Sequence, residues 1–261
     1  MAESPILKAF VVLKCLAETG APMGVQQISK QTCLNVSTVH RLLQLMVRDG
    51  MVTYDGQARM YGIGPECVRL AAHVLGSGSF AGRIRPLLAD LAQRLGETCA
   101  FTLYEPKQGT RFIALVEHGP HTLGYDFEIG SRDAIHAGAS GKPILAFLPD
   151  AEIERILRRP LSRVTKYTIV EPEKLRTQIR QIRKRGYATS RGERMPSDSI
   201  GVGAPVFGPH KNVIGAIVVT VPSFRWRKER LHDVAKLVMG TAQQVSALSD
   251  VGVPLPGQRY E

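Results

Sequence analysis

Cysteine is scarce in this 261-residue chain, and its four copies, Cys15, Cys33, Cys67 and Cys99, stand far apart. No two form a CxxC pair, so neither a disulfide frame nor a zinc site is indicated, and reduced, mostly buried thiols are the expectation. Long apolar runs are missing as well. Val213–Val221, broken by Gly215, is far shorter than the roughly 20 residues that span a bilayer. The opening MAESPILKAF lacks the basic region, long apolar core and cleavage pattern of a secretory signal. A cytoplasmic location without a membrane partner is therefore expected. The histidines, His40, His73, His118, His121, His136, His210 and His232, are scattered, and the neighbours His118 and His121 find no third ligand. A Walker phosphate loop is lacking too: Pro143 follows Gly141-Lys142, and His136 stands where the motif needs its first glycine. Neither a metal nor a cofactor is expected.

What is present is an ordinary soluble composition, 44% hydrophobic and 22% charged, with a net charge of +11. That excess favours a polyanionic partner without proving one. Its distribution points away from the obvious place. Residues 1–63 hold six Lys/Arg against four Asp/Glu, whereas residues 159–199 hold eleven against four. The basic stretch reads as the solvated face of a helix over Glu171–Lys184.

The informative stretch is residues 25–63. Val25–Lys30 is a short amphipathic helix, Thr32–Val36 a polar turn, and Ser37–Arg48 a second helix with Val39, Leu42, Leu43 and Met46 facing inward. Gly50 ends it. Val52–Tyr54 and Arg59–Tyr61 then flank the turn Asp55-Gly56-Gln57 as a hairpin. Helix, turn, helix and hairpin in that order make a winged helix-turn-helix, whose second helix suits a DNA major groove. Ser37, as helix cap, with Thr38, Arg41 and Gln44 forms the outward surface, and Gln57 and Arg59 serve the wing. His40 is a DNA contact or a partly buried helix histidine. Before this stretch, Ser4 and Pro5 start a helix over residues 6–16, with Ile6, Ala9, Phe10, Leu13 and Leu16 on one face. After it, residues 66–75 form another helix, and Gly76-Ser77-Gly78-Ser79 a hinge.

These readings divide the chain into a DNA-binding domain at 1–64, a linker helix and hinge at 65–79, a second domain at 80–250 and a loose tail at 251–261. The second domain alternates helices with strands: a helix over 80–95, strands at Ala100–Tyr104, Arg111–Glu117 and Leu123–Phe127, helices near 141–148, 150–158 and 171–184, strands at Tyr187–Ser190, Ile200–Phe207 and Val213–Val221, and a last helix over Trp226–Leu248. This is an α+β pattern, a mixed sheet with helices packed on it. The glycine-rich SRDAIHAGASGKPILAFL at 131–148 lets a ligand or another backbone approach closely, so Gly138, Ala139 and Ser140 are a candidate ligand rim. His136 and Ser140 also admit a hydrolase reading, but no acid or base partner completes it. A sensory module acting through a protein partner is a third reading.

Taken together, Ser37-Thr38-Val39-His40-Arg41-Leu42-Leu43, Gly50, Tyr61-Gly62-Ile63-Gly64, Gly96-Glu97-Thr98, His136-Ala137-Gly138-Ala139-Ser140-Gly141-Lys142, Arg183–Ala188 and Ala204-Pro205-Val206 resemble the IclR-type family of bacterial transcription regulators. The resemblance covers Pro5 to about Leu248. It implies a GAF-like effector domain, palindromic operator DNA, a homodimer that in some members pairs again into a tetramer, and control by a small organic-acid or aromatic metabolite. In members that bind a small oxo-acid, the ligand meets the loop amides and polar groups of the later strands. The matching positions here are Ser190, the Gly201–Gly203 run with Val202, Val218 and Thr220. Only Thr220 keeps a familiar hydroxyl, which suggests a less polar or larger ligand. Phe101, Leu123 and Val218 are apolar contacts to it or inward-facing core.

Overall fold

Helix α1 (Pro5–Thr19) begins after Ser4 with proline in its first turn and ends on Gly20 in the left-handed region. It buries Val12 and Leu16, while Ile6, Leu7 and Phe10 stay exposed. The expected inward stripe is therefore only half right: the helix is wide enough in apolar residues to cover two faces, and the adjoining helices cover one. Helix α2 (Val25–Thr32) and helix α3 (Val36–Arg48) pack beneath it around Ile28, Val39, Leu42, Leu43 and Met46. Strands β1 (Val52–Asp55) and β2 (Met60–Ile63) form the antiparallel wing, with Tyr54 opposite Tyr61. Met23 bridges to Tyr61 and fastens the wing to the helices. Helix α4 (Pro65–Leu75) follows, with Val68, Leu70, Val74 and Leu75 exposed. The computed structural model describes residues 4–76, 78–121, 124–194 and 198–249; the hinge's Ser77, Leu123 and the tail 251–261 fall outside that range. Contacts divide the chain into two compact units, Met1–Ser79 and Phe80–Glu261.

The second unit is built on one antiparallel sheet. Its strands are β3 (Thr98–Glu105), β4 (Thr110–Glu117), β5 (Arg132–Ala134), β6 (Ala188–Arg191), β7 (Ser199–Phe207) and β8 (Val213–Pro222). They lie in the order β5-β4-β3-β8-β7-β6. Strand residues alternate between two faces. One face carries Phe101, Leu115, Val202, Ala204, Ile217 and Val219 against helices α5 (Phe80–Leu95) and α9 (Leu231–Ser249). The other carries smaller groups, including Ala100, Thr102, Gly201, Gly203, Ala216 and Val218. It accepts helix α6 (Gly138–Phe147), outside which pack α7 (Asp150–Leu157) and α8 (Pro172–Arg185).

The two units are thus a winged helix-turn-helix and a mixed α/β domain. Three sequence expectations need correction. The sheet is antiparallel at every pairing rather than mixed. The strand at Leu123–Phe127 does not form over residues 124–127, and the sheet edge is β5 instead. The last helix starts at Leu231 after a short 3-10 turn at Lys228–Arg230, not at Trp226.

Candidate functional site

In the first unit, α3 offers a continuous polar face. Ser37, His40, Arg41, Gln44 and Arg48 are exposed and Thr38 half-buried, because the 3.6-residue period turns Val39, Leu42, Leu43 and Met46 inward. Asn35, not Ser37, occupies the N-cap position. Ser37 lies inside the first turn, where a short hydroxyl still stands beside unpaired helix amides. The wing turn is longer than the sequence suggests. Asp55 Oδ1 accepts the Gln57 and Ala58 amides at 2.9 and 3.1 Å, so the chain reverses over Gly56–Arg59. Arg59 therefore belongs to the turn, at φ 55°, rather than to a strand. Gln57 and Arg59 are both exposed. Between α3 and the wing runs a groove of about 600 Å³, bordered by His40, Arg41, Gln44, Arg48 and Tyr54.

In the second unit, the first turn of α6 points at the small-residue face of the sheet. Gly138 opens the helix at φ 77°, a conformation that disfavours any other residue. Gly203 lets the helix reach the sheet: a Cβ there would stand 2.0 Å from the Ala139 carbonyl oxygen. A Cβ on Gly201 would meet Ser190 Oγ at 2.7 Å. The space these glycines leave is a cavity of about 30 Å³. Its walls include Gly138, Ala139, Ser140, Ser190, Val218 and Thr220, six of the residues singled out in the sequence. Phe101 and Val202 are a correction. Both sit on the opposite face of the sheet, in the core with α5 and α9, and Phe101 packs edge-on against Phe80. Leu123 lies outside the described residues.

Sequence reasoning missed the charged half of the cavity. Arg111 on β4 has a fully buried side chain whose Nη2 donates to Asp133 Oδ2 at 2.8 Å. Arg194, from the loop after β6, donates through Nε to that same oxygen at 2.6 Å, and its guanidinium lies 5.2 Å from the Phe127 ring centre. Burial, and then the Arg194 charge, pull the Arg111 guanidinium down to about 10 against the pull of Asp133. Nearby, the buried Lys142 ammonium donates to Glu193 Oε1 at 2.6 Å, the Thr189 carbonyl at 2.9 Å and Gln178 Oε1 at 3.0 Å. Burial pushes its pKa below the usual lysine value, against the Glu193 carboxylate. These charged groups lie on β4 and in the segment following Arg191, away from the strand positions matched to the family.

Two of the first-turn amides of α6 are already occupied. Gly138 N donates to Glu193 Oε2 at 3.3 Å and Ala139 N to Ser190 Oγ at 3.0 Å. His136 Nε2 lies 2.9 Å from the Ser162 carbonyl oxygen. Burial holds its imidazole below the ordinary value, against the pull of that carbonyl and of Glu193. No hydrogen bond joins His136 to Ser140 among the described residues. Those residues also contain no cluster of three metal-ligating side chains and no helix long and apolar enough to cross a membrane.

A winged helix-turn-helix followed by a mixed α/β domain with a polar cavity defines a class: one-chain transcription regulators with a separate effector-binding domain. The family follows from comparison. Residues 5–56 match the IclR helix-turn-helix domain, and residues 72–247 match the C-terminal domain of bacterial IclR transcriptional regulators. The chain belongs to the IclR family of DNA-binding transcriptional regulators. It is 29% identical over 241 residues to the HTH-type transcriptional regulator BhcR of Paracoccus denitrificans, covering 92% of this chain and 85% of that one. Its fold is similar to the crystal structure of an IclR transcriptional regulator from Alicyclobacillus acidocaldarius, with TM-score 0.87 and 23% identity over 95% of this chain and 100% of that one. It is also similar to an IclR homologue from Microbacterium hydrocarbonoxydans complexed with 4-hydroxybenzoate, with TM-score 0.79 and 22% identity over 94% and 98% of the two chains.

Proposed function

We propose that this chain binds two-fold operator DNA through α3 and the wing, and that a small metabolite in the α6 cavity sets the affinity. The observation that carries the DNA half is the exposed row Ser37, His40, Arg41, Gln44 and Arg48 on a helix whose opposite side is core. Such a row lies on one side of a rod that a major groove admits. Ser37, Thr38 and Gln44 address phosphates or base edges, Arg41 a guanine edge or a phosphate, and His40 a base edge. Gln57 and Arg59 contact backbone beside the groove.

Two copies are needed to read a two-fold site. The exposed apolar residues of α4, Val68, Val74 and Leu75, with Ile6 and Phe10 of α1, suit burial against a second copy. The effector acts by binding one arrangement of the two copies better than another. The ligand rim is Gly138, Ala139, Ser140, Ser190, Val218 and Thr220. The Microbacterium hydrocarbonoxydans homologue, whose bound 4-hydroxybenzoate is a carboxylate, supports an organic acid as the class.

Selection from a random duplex library, followed by titration of the chosen sequence with and without candidate acids, tests both halves. Enrichment of a two-fold sequence whose affinity moves with one acid is the expected result. A folded dimer with no sequence preference refutes the DNA half, and an affinity indifferent to a cavity-bound acid refutes the control.

A further inference from the structure

Among the described residues, the effector cavity is lined by a buried cationic side chain, Arg111, whose hydrogen-bonding capacity is only partly used. Arg111 is 0% exposed, yet its Nε and Nη1 have no partner, and both belong to a side chain lining the cavity. Its one bond, through Nη2, ends on an Asp133 oxygen that Arg194 also uses. Buried guanidinium groups normally have their donors satisfied, because an unanswered one carries the full desolvation penalty. An arginine kept in that state is prepared for a charged acceptor, which either Nε or Nη1 can bond.

We infer that the cavity takes a small monocarboxylate with its charged end on Arg111 and Arg194, at the β4–β5 side, rather than on the amides that open α6. The inference rests on the effector reading above and adds to it the ligand's charge, size and orientation. The Gly138 and Ala139 amides are poor candidates, because Glu193 and Ser190 already accept from them. Glu193 would also repel an anion placed there.

The charge balance selects a monoanion. Arg111, Arg194 and Lys142 bring three positive charges to the site, and Asp133 and Glu193 two negative ones. A single carboxylate completes the balance, whereas a dianion reverses it. The cavity, about 30 Å³, favours small acids over bulky ones. The body of the acid then rests on Ala100, Ile113 and Val218, with the Phe127 ring held in place by the Arg194 guanidinium above it.

The test uses the full chain and three kinds of probe: propionate and pyruvate as monocarboxylates, propionamide as the neutral isostere, and malonate as the dianion. Thermal unfolding and calorimetric titration are read for wild type, Arg111→Met and Arg111→Lys. The expected result is binding of propionate or pyruvate, no binding of propionamide at equal concentration, and weaker binding of malonate. Arg111→Met should weaken the acids at least tenfold in a variant that still unfolds cooperatively. Arg111→Lys should fall between, keeping the charge and losing the fork.

Equal binding of acid and amide, absence of any acid binding to wild type, or unchanged acid affinity in both variants overturns the inference. The acid–amide comparison needs no variant to fold. If an acid occupies the cavity through Arg111 but leaves operator affinity unchanged, the effector reading fails and the anion site stands. If operator affinity responds to acids equally in wild type and Arg111→Lys, the anion site fails and the effector reading stands.

Discussion

Replacing either member of the Lys142–Glu193 pair should destabilise the second unit far more than replacing both. Their side chains are 2% and 8% exposed, and the Nζ–Oε1 distance is 2.6 Å. All three ammonium donors are used, on Glu193, Thr189 and Gln178. The ion pair thereby ties α6 to β6 and α8, and the second Glu193 oxygen caps Gly138. Glu193→Gln leaves the ammonium buried without a counter-charge, a change that costs about 3–5 kcal/mol when one partner of a buried pair is removed. The two neutral acceptors that remain place the expected cost near the low end, about 3 kcal/mol. Lys142→Met preserves the methylene volume but strands the carboxylate, with a similar cost. The double variant removes both charges and should lose only about 1 kcal/mol relative to wild type, since replacing a buried pair by neutral groups is often close to neutral. The two single losses together then exceed the double loss by about 5 kcal/mol, which is the expected coupling energy. Urea unfolding followed by tryptophan fluorescence is a clean readout, because the chain has one tryptophan, Trp226, and it lies in this unit. Losses that add within about 0.5 kcal/mol would refute the assignment of a buried, mutually dependent pair.

Further outcomes follow from the packing. Gly203→Ala places a Cβ 2.0 Å from a backbone oxygen of α6, so α6 must move off the sheet, at a cost of about 1–3 kcal/mol in the same urea assay. The folded-state pKa of His136 lies below its ordinary 6.5, so below about that pH the unfolded chain takes up a proton that the native one refuses. Stability should fall as pH drops from about 6.5 toward the folded-state value and be independent of His136 above pH 7.5; His136→Gln should flatten that acid limb in urea titrations between pH 5 and 8. Val74→Glu, on the exposed apolar side of α4, should shift sedimentation from dimer toward monomer while the helical signal in circular dichroism persists.

The helices and most strands were legible because each segment repeats its pattern several times. Proline and glycine mark both ends of α1, and the four inward residues of α3 follow one period. Errors fell where a single residue decides. Arg59 reads as strand in the sequence but lies in the turn, because the Asp55 side chain holds two amides there.

In the second unit, Gly138 to Ser140 were readable as a place of close approach because small residues are concentrated there. The face on which each strand residue points is written in the strands' own sequence as an alternation of small and large side chains. Ala100 and Thr102 alternate with Phe101, and Gly201 and Gly203 alternate with Val202. The small members must face α6 and the ligand, so Phe101 and Val202 had to face away.

Arg111 and Arg194 left a weaker trace. Their partner, Asp133, lies 22 and 61 positions away, and the pairing depends on the register of β4 with β5. Glu193 and Arg194 also lie in the loop after β6, outside any repeating pattern. No local pattern reports a carboxylate shared across the sheet.

The measurement that bears most directly on the whole account is the salt dependence of operator affinity for wild type and Arg41→Ala. Arg41 is exposed at the centre of the polar face of α3. If it clamps a phosphate, its loss should weaken binding and reduce the slope of log affinity against log salt by about 0.9. If it reads a guanine, binding should weaken by about 1–3 kcal/mol and tolerance of other bases at that position should rise. Affinity, slope and base preference all unchanged in a folded variant would contradict the claim that this face reads DNA.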